Sequence, residues 1–293
     1  MKRSGIRIIL ISILCASFLF ANNISALLEK ANNGDVQAQF DLGVKYALGD
    51  DVEKDLETAL YWMRKAAEQG EPAAEYNLGL MYQLGQGTEI NLVIAKAWYE
   101  KAVAQDYEKA MYTLGYMYYT GEAAEKDLER AAELFLKAAQ AGVADAQYSI
   151  AYMYMQGEGF EKDIDKALSW FEKSAALDNV NAKFFLADLL YKGEGVIADT
   201  ARAFDLFADI SLVNNDSEGQ YYLALMYLNG HGTKWDPEQA FYWMTKSAEQ
   251  EFIEAQYELA KMYFEGIGTA VDSTEGDYWE TEANLNELYQ YYW

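Results

Sequence analysis

Residues 35–70 read DVQAQFDLGVKYALGDDVEKDLETALYWMRKAAEQG, and variants of this unit recur along the chain. Seven copies align on an apolar residue that precedes glycine or alanine: Leu42, Leu78, Leu114, Ile150, Leu186, Leu223 and Leu259. The spacing is constant except for one extra residue near Asn214 and Asn215. A repeat of this length predicts a stack of similar helical units, because one such unit cannot bury its own apolar face.

Each copy is predicted to form two helices joined by a turn. In the first copy Ala38, Leu42 and Tyr46 share one face of the first helix, which we expect to lie in the core. Glycine follows each first helix, where it can adopt a left-handed conformation: Gly49, Gly85, Gly121, Gly157, Gly193, Gly230 and Gly266. A residue whose side chain can cap the second helix then recurs: Asp55, Asn91, Asp127, Asp163, Asp199, Asp236 and Asp272.

The second helix of each copy has its own apolar stripe. Ala59, Met63 and Ala66 recur at helical spacing, and Trp62 lies beside them. We expect the tryptophan position to be core and not a ligand site; it is occupied by Trp62, Trp98, Leu134, Trp170, Leu206, Trp243 and Trp279. The two prolines, Pro72 and Pro237, fall at predicted helix starts, where proline is tolerated.

The motif Ala38-Gln39-x-x-Leu42-Gly43-x-x-Tyr46-x-x-Gly49, followed by Asp55-x-x-x-Ala59-x-x-Trp62-x-x-x-Ala66-Ala67-x-Gln69-Gly70, resembles the Sel-one-like repeat, a relative of the tetratricopeptide repeat. The resemblance covers residues 35–284. It implies an all-α, right-handed α-solenoid of seven helix-turn-helix units, whose first helices line a concave groove. It also implies use as an adaptor or scaffold for protein complexes, because secreted bacterial members that resemble this chain include envelope-assembly and host-interaction proteins.

Several positions depart from the family pattern. Asp51 and Ala123 replace the second glycine of the turn, Leu190 replaces the tyrosine, and Gly276 replaces the alanine of the second helix. The fifth and seventh copies are therefore the least regular.

The N-terminus has the features of a secretory signal. Lys2, Arg3 and Arg7 precede an apolar run over residues 8–20 and then Ala21, which predicts a signal peptide over residues 1–21. A periplasmic or secreted location follows, and an uncleaved segment that anchors the protein to the membrane is the alternative. The single cysteine, Cys15, lies in this leader, so the mature chain would have no thiol.

The segments that flank the repeats are predicted to cover the ends of the array. Residues 22–34 resemble the end of a second helix and are expected to cap the first copy. Residues 285–293 are rich in apolar and aromatic side chains, which suits either a cap on the last copy or a docking tail.

The chain is strongly acidic, with a formal net charge of −24. The predicted leader contributes three basic residues and no acidic one, so its removal makes the charge more negative. Such a surface repels nucleic acid and anionic lipid, and it favours either simple solubility or a basic partner.

Positions that vary between copies are the best guide to a partner. An aromatic residue two positions after the core alanine occurs in all seven copies, which suits a ring between units better than a ligand contact: Phe40, Tyr76, Tyr112, Tyr148, Phe184, Tyr221 and Tyr257. Further along the same helices, the variable positions are rich in tyrosine in the middle copies. We expect a tyrosine-rich, acidic groove that binds a protein segment carrying Lys or Arg, with these candidate residues: Tyr112, Tyr116, Tyr119, Tyr148, Tyr152, Asp188 and Tyr191.

Catalytic chemistry is poorly supported by the sequence. His231 is the only histidine and lies between two turn glycines, so neither a common zinc site nor a Ser-His-Asp arrangement can be built. A β-lactamase, penicillin-binding or peptidoglycan-acting enzyme remains as an alternative through cysteine-rich relatives of the repeat family. However, no serine is followed three residues later by lysine, the pair that serine β-lactam enzymes use. We therefore predict a non-enzymatic protein without cofactor or metal, and a secreted host-interaction factor is the other alternative.

Overall fold

The computed structural model describes residues 24–123 and 125–292, with side chains as far as residue 289. Within these ranges the chain forms helices and turns and contains no strand. The helices are α1 (24–32), α2 (Val36–Leu48), α3 (Leu56–Glu68), α4 (Pro72–Leu84), α5 (Leu92–Ala104), α6 (Glu108–Thr120), α7 (Leu128–Gln140), α8 (Ala144–Gln156), α9 (Ile164–Ala175), α10 (Val180–Lys192), α11 (Thr200–Val213), α12 (Ser217–Asn229), α13 (Pro237–Ala248), α14 (Ile253–Glu265) and α15 (Ser273–Tyr292). The predicted leader, including Cys15, lies outside the described residues.

The chain divides into two compact units, one ending at Val143 and the other beginning at Ala144. In each unit, the first helix of a copy packs on the second helix of the same copy, as in the pairs α2–α3 and α8–α9. The second helix then packs on the first helix of the next copy, as in α3–α4 and α9–α10. The all-α array of helix-turn-helix units that the repeat predicts is confirmed.

The predicted turns and caps are confirmed. The glycines that end the first helices are left-handed, with φ of 78° at Gly49 and 67° at Gly230. The Asp55 carboxylate accepts hydrogen bonds from the amides of Glu57 and Thr58, and the caps at the other second helices are equivalent. Pro72 and Pro237 occupy the first turns of α4 and α13. The extra residue of the fifth copy lengthens α11 to 14 residues.

The core follows the predicted stripes, and the tryptophan position is buried at Trp62 and Leu134 but partly exposed in the other copies. Ala38, Leu42 and Ala59 are buried, whereas Trp98 and Trp170 are only half-buried. The deepest ring lies one residue later along the second helix, at Tyr99, Phe135, Phe171 and Phe207. Because one residue rotates the side chain by about 100°, the two positions face different neighbours, and the later one is the more deeply buried in these four copies. The ammonium of Lys101 lies 3.6 Å from the centre of the Trp98 ring.

A ladder of polar pairs joins the two helices within individual copies, with the first-helix member buried, and the sequence reasoning missed it. The residue after the core alanine of a first helix is bonded to a residue 30 positions later, at the end of the second helix. These pairs, with donor-acceptor distances, are Gln69–Gln39 (2.7 Å), Gln105–Glu75 (2.8 Å), Gln250–Gln220 (2.8 Å) and Asn286–Gln256 (3.1 Å). In the fifth copy Lys183 occupies this position and pairs with Asp178 and Asp209. The ladder satisfies groups whose burial would otherwise be costly.

The two ends of the described chain differ. Near the N-terminus, Ala31 of α1 is buried beside Leu42 and Trp62, and Leu27 and Leu28 pack around them. Near the C-terminus, α15 continues for 20 residues, and Leu285, Leu288 and Tyr289 on it are exposed. Among the described residues, no helix has both the length and the apolar character needed to cross a membrane.

Candidate functional site

Three of the candidate tyrosines lie on α6 in the first unit. Tyr116 is 49% exposed, so its ring is available at the surface. Tyr112 and Tyr119 are half-buried, with ring centres 5.6 Å and 6.4 Å from Phe135 of α7. The Lys126 ammonium lies 5.5 Å from the Tyr119 ring. Tyr116 is thus the most accessible of the three.

The candidate tyrosines of the second unit are packed more deeply. Tyr148 and Tyr152 of α8 are half-buried, and their ring centres are 6.5 Å apart. Both contact Phe185 of α10, at 5.8 Å and 6.0 Å. Tyr148 also lies 6.0 Å from Phe171. These residues therefore belong to one aromatic cluster in which Tyr152 keeps part of its surface exposed.

Asp188 and Tyr191, also on α10, are engaged with neighbouring polar groups. The Asp188 carboxylate forms an ion pair with Lys192, one helical turn away, at 2.8 Å. The hydroxyl of Tyr191 lies 3.1 Å from Nδ1 of His231 in the turn of the next copy. Burial raises the pKa of Tyr191. His231 therefore contacts the candidate surface as a hydrogen-bonding partner of Tyr191.

Sequence reasoning missed two aromatic residues, Phe185 and Tyr222. They occupy the same repeat position on α10 and α12, and each stacks on a buried ring of the preceding second helix. The ring centres are 5.7 Å apart for Phe185 and Phe171, and 5.0 Å for Tyr222 and Phe207. A comparison of equivalent positions would have identified these two residues, because the other five copies carry polar residues here: Asp41, Asn77, Thr113, Ser149 and Glu258.

Acidic side chains from three consecutive first helices act on Tyr222. Burial raises the pKa of the Tyr222 hydroxyl, and Asp188, Glu218 and Glu254 raise it further, whereas Lys192 lowers it. The pKa of Glu218 is also raised, first by burial and then by neighbouring carboxylates that include Glu254. These couplings show that α10, α12 and α14 bring an excess of negative charge to the surface around Tyr222.

Several of the aromatic residues present in all copies contact the next copy. Tyr76 lies 5.5 Å from Tyr107, which precedes α6, and Tyr221 lies 5.3 Å from Phe252, which precedes α14. In the last copy, the Tyr257 hydroxyl donates a hydrogen bond to Glu287 of α15 at 2.8 Å. Such contacts fit the packing role suggested by the constancy of this position.

No group of three or more His, Cys, Asp or Glu side chains that could hold a metal ion occurs within residues 24–123 and 125–292.

This fold and surface define an all-α repeat protein whose first helices carry copy-specific aromatic and charged residues. The Sel1 repeat model matches residues 36–71, 72–107, 108–143, 144–179, 180–208, 217–252 and 253–279. The chain belongs to the Sel1 repeat family. Proteins built from these repeats generally mediate protein–protein interactions, and they typically act as non-enzymatic scaffolds.

Two solved structures of bacterial proteins are similar over most of the chain. One is c5321, a protective antigen of uropathogenic Escherichia coli with the same type of repeat fold (33% identity, TM-score 0.86). The match covers 92% of this chain but 58% of the E. coli protein, so the chain spans well under two thirds of that relative. The other is a Sel1 repeat protein from Oxalobacter formigenes (30% identity, TM-score 0.71, 94% of this chain and 80% of that one). None of the curated proteins compared with the chain is significantly similar to it.

Proposed function

We propose that this protein is an exported adaptor that binds a basic protein segment along its first helices. The observation that carries the proposal is the contrast between constant and variable positions. The constant rings pack at the seams, whereas Tyr116, Tyr152 and the residues around Tyr222 differ from copy to copy and retain exposed surface. Tyrosine supplies a large contact area at low entropic cost, and surrounding carboxylates favour Lys or Arg in the partner.

Export is the second part of the proposal. It is supported by the basic residues and apolar run of the predicted leader, and by the bacterial proteins with the same fold. We expect the protein in the periplasmic fraction or in the culture supernatant, where a supernatant location would favour the host-interaction alternative. Recovery of the unprocessed chain with the membranes would instead identify the leader as an anchor.

Affinity capture from native envelope extracts tests the adaptor function. The Tyr116→Ala/Tyr152→Ala variant should lose most of a stoichiometric partner while its helical content stays nearly unchanged. The matched control is Tyr61→Ala/Tyr242→Ala, because these tyrosines are 54% and 50% exposed but lie on the second helices. Equal capture by both variants would contradict the placement of the site.

An enzymatic role is tested separately with the purified protein. We expect no hydrolysis of nitrocefin, because the sequence lacks the paired serine and lysine of serine β-lactam enzymes. Muropeptides are assayed in parallel, and we expect no hydrolysis of them either. Turnover of either substrate, retained through purification and lost on unfolding, would replace the adaptor reading.

A further inference from the structure

A pocket in the second unit lies next to the residues already described. It is a cleft of about 460 Å³ where the turn between α8 and α9 meets α10. Met155, Phe185 and Leu189, which are at least half-buried, form its apolar lining, called the floor here, and Lys162, Asp188 and Glu194 form its charged lining, called the rim. This size and this mixture of lining residues are typical of a pocket that accepts a small group.

The charges at the rim select the kind of group that fits. The Asp188 carboxylate is already paired with Lys192 at 2.8 Å. Lys162 and Glu194 carry opposite charges, so they contribute no net charge. With an apolar floor and a balanced rim, the pocket suits an uncharged aliphatic side chain, because a charged one would be desolvated there without a compensating partner.

A second subsite with a different chemistry lies one copy further along. Tyr222 occupies on α12 the repeat position that Phe185 occupies on α10, and one face of its ring stacks on Phe207. Glu218 and Glu254 are close enough to act electrostatically on its hydroxyl. An aromatic ring flanked by carboxylates attracts a guanidinium or ammonium group through both charge and the ring quadrupole.

The spacing of the two subsites defines a short motif. Phe184 lies between the two rings, with its ring centre 6.3 Å from that of Phe185 and 5.7 Å from that of Tyr222, so the two subsites are separated by no more than the sum of these distances. An extended chain advances about 3.3 Å per residue, and three residues therefore span about 10 Å. An aliphatic residue and a basic residue three positions apart would reach both subsites at once.

We propose that the second unit recognises an extended protein segment by two of its side chains. An aliphatic side chain of the segment binds on Phe185, and a Lys or Arg three residues away in the segment binds over Tyr222. The inference rests on the proposed adaptor function and specifies its partner. It assigns different tasks to neighbouring copies, since the pocket at the fourth and fifth copies selects an uncharged group and the sixth selects a cation.

The probe is the peptide acetyl-Gly-Ser-Leu-Ser-Ser-Arg-Ser-Gly-amide, together with a peptide in which Leu and Arg exchange places. Binding to the full chain is followed by NMR of the methionine methyl groups, with the Met155 signal assigned from a Met155→Leu variant. We expect at least one of the two peptides to shift the Met155 methyl signal saturably while leaving the buried Met244 signal in place. Replacing Leu by Ser in that peptide should weaken binding at least tenfold.

The charge subsite is tested with Glu218→Gln/Glu254→Gln. This variant should bind the Arg peptide at least fivefold more weakly, and it should bind a peptide with Gln in place of Arg as the parent protein does. The control Glu238→Gln/Glu280→Gln makes the same change of charge at exposed positions of second helices and should have no effect.

The outcomes separate this inference from the adaptor function. The motif is overturned if neither peptide shifts the Met155 signal, or if the Glu218→Gln/Glu254→Gln variant binds the Arg peptide as strongly as the parent protein does. If capture of the native partner still depends on Tyr116 and Tyr152, the adaptor function survives that result. Conversely, peptide binding that requires both the aliphatic and the basic residue supports the motif even where envelope capture fails.

Discussion

The turn glycine Gly87 connects the sequence pattern to the seam between the first two copies, and its replacement by alanine should be costly. Gly87 has φ of 69°, and a Cβ atom there would overlap the carbonyl group of Leu56 at the start of α3. The left-handed conformation costs a non-glycine residue about 1–2 kcal/mol. Overlap with backbone that cannot rotate away adds about 1–3 kcal/mol. Alanine also makes the unfolded chain less flexible, which offsets about 0.4–1 kcal/mol of this loss. Gly87→Ala should therefore lower the free energy of unfolding by about 2–4 kcal/mol.

Gly70 provides the matched control in the same unit. Its φ is 83°, but a Cβ atom there would have no neighbour within 4 Å. Gly70→Ala should therefore lose only about 1 kcal/mol, which is the conformational part alone. Urea unfolding followed by far-ultraviolet circular dichroism measures both variants against the parent. Equal losses would refute the reasoning, because the contact with Leu56 would then contribute nothing.

Three further predictions concern stability. Glu251 has φ of 63° at the turn position that Gly70 occupies in the first copy. Glu251→Gly should therefore raise the free energy of unfolding by about 0.5–1 kcal/mol, which appears as a higher urea midpoint; a lowered midpoint would contradict this. Asp236→Ala removes the cap of α13 and should lose about 1 kcal/mol in the same assay, whereas Asp236→Asn should lose little. Burial raises the pKa of Glu75 above its ordinary value of 4.5, so the ionised carboxylate destabilises the fold as the pH rises from 4.5 through the raised pKa; Glu75→Gln should stabilise the protein at pH 7, and the gain should shrink as the pH falls through the raised pKa and be lost by about pH 4.5.

The sequence predicts the local structure of this protein well because local rules determine it. A first helix ends at Gly49 because the left-handed conformation favours glycine there, and a second helix begins after Asp55 because its carboxylate satisfies free amides. Both signals act within a few residues. Their recurrence in seven copies makes the helix boundaries readable without any knowledge of tertiary contacts.

Features that depend on contacts between different helices were harder to predict. The Gln39–Gln69 pair joins residues 30 positions apart, and helical periodicity within one helix contains no information about it. The stacking of Phe185 on Phe171 joins the second helix of one copy to the first helix of the next. Comparing equivalent positions would have detected both, because glutamine recurs at both members of the pair and an aromatic replaces polar residues at position 185.

The sequence predicted which types of residue form the candidate site, but not how they are arranged in space. Tyr116 is exposed as the sequence reasoning requires, but Tyr148 is packed against Phe171 and Phe185. The angular position of a residue on its helix was known in advance. Which side chain of the next helix would cover it was not, since that depends on the packing of neighbouring copies.

This packing also explains why recognition and stability can be separated in a repeat protein. Each copy contacts only its neighbours, so the buried rings at the seams and the polar pairs within copies determine whether the array folds. Tyr222 belongs to both classes, because one face stacks on Phe207 while its hydroxyl experiences the charges of Glu218 and Glu254. Loss of the whole ring would therefore perturb folding and binding together. Removal of the two carboxylates changes only the charge, which is why those residues, and not the ring, isolate the contribution of recognition.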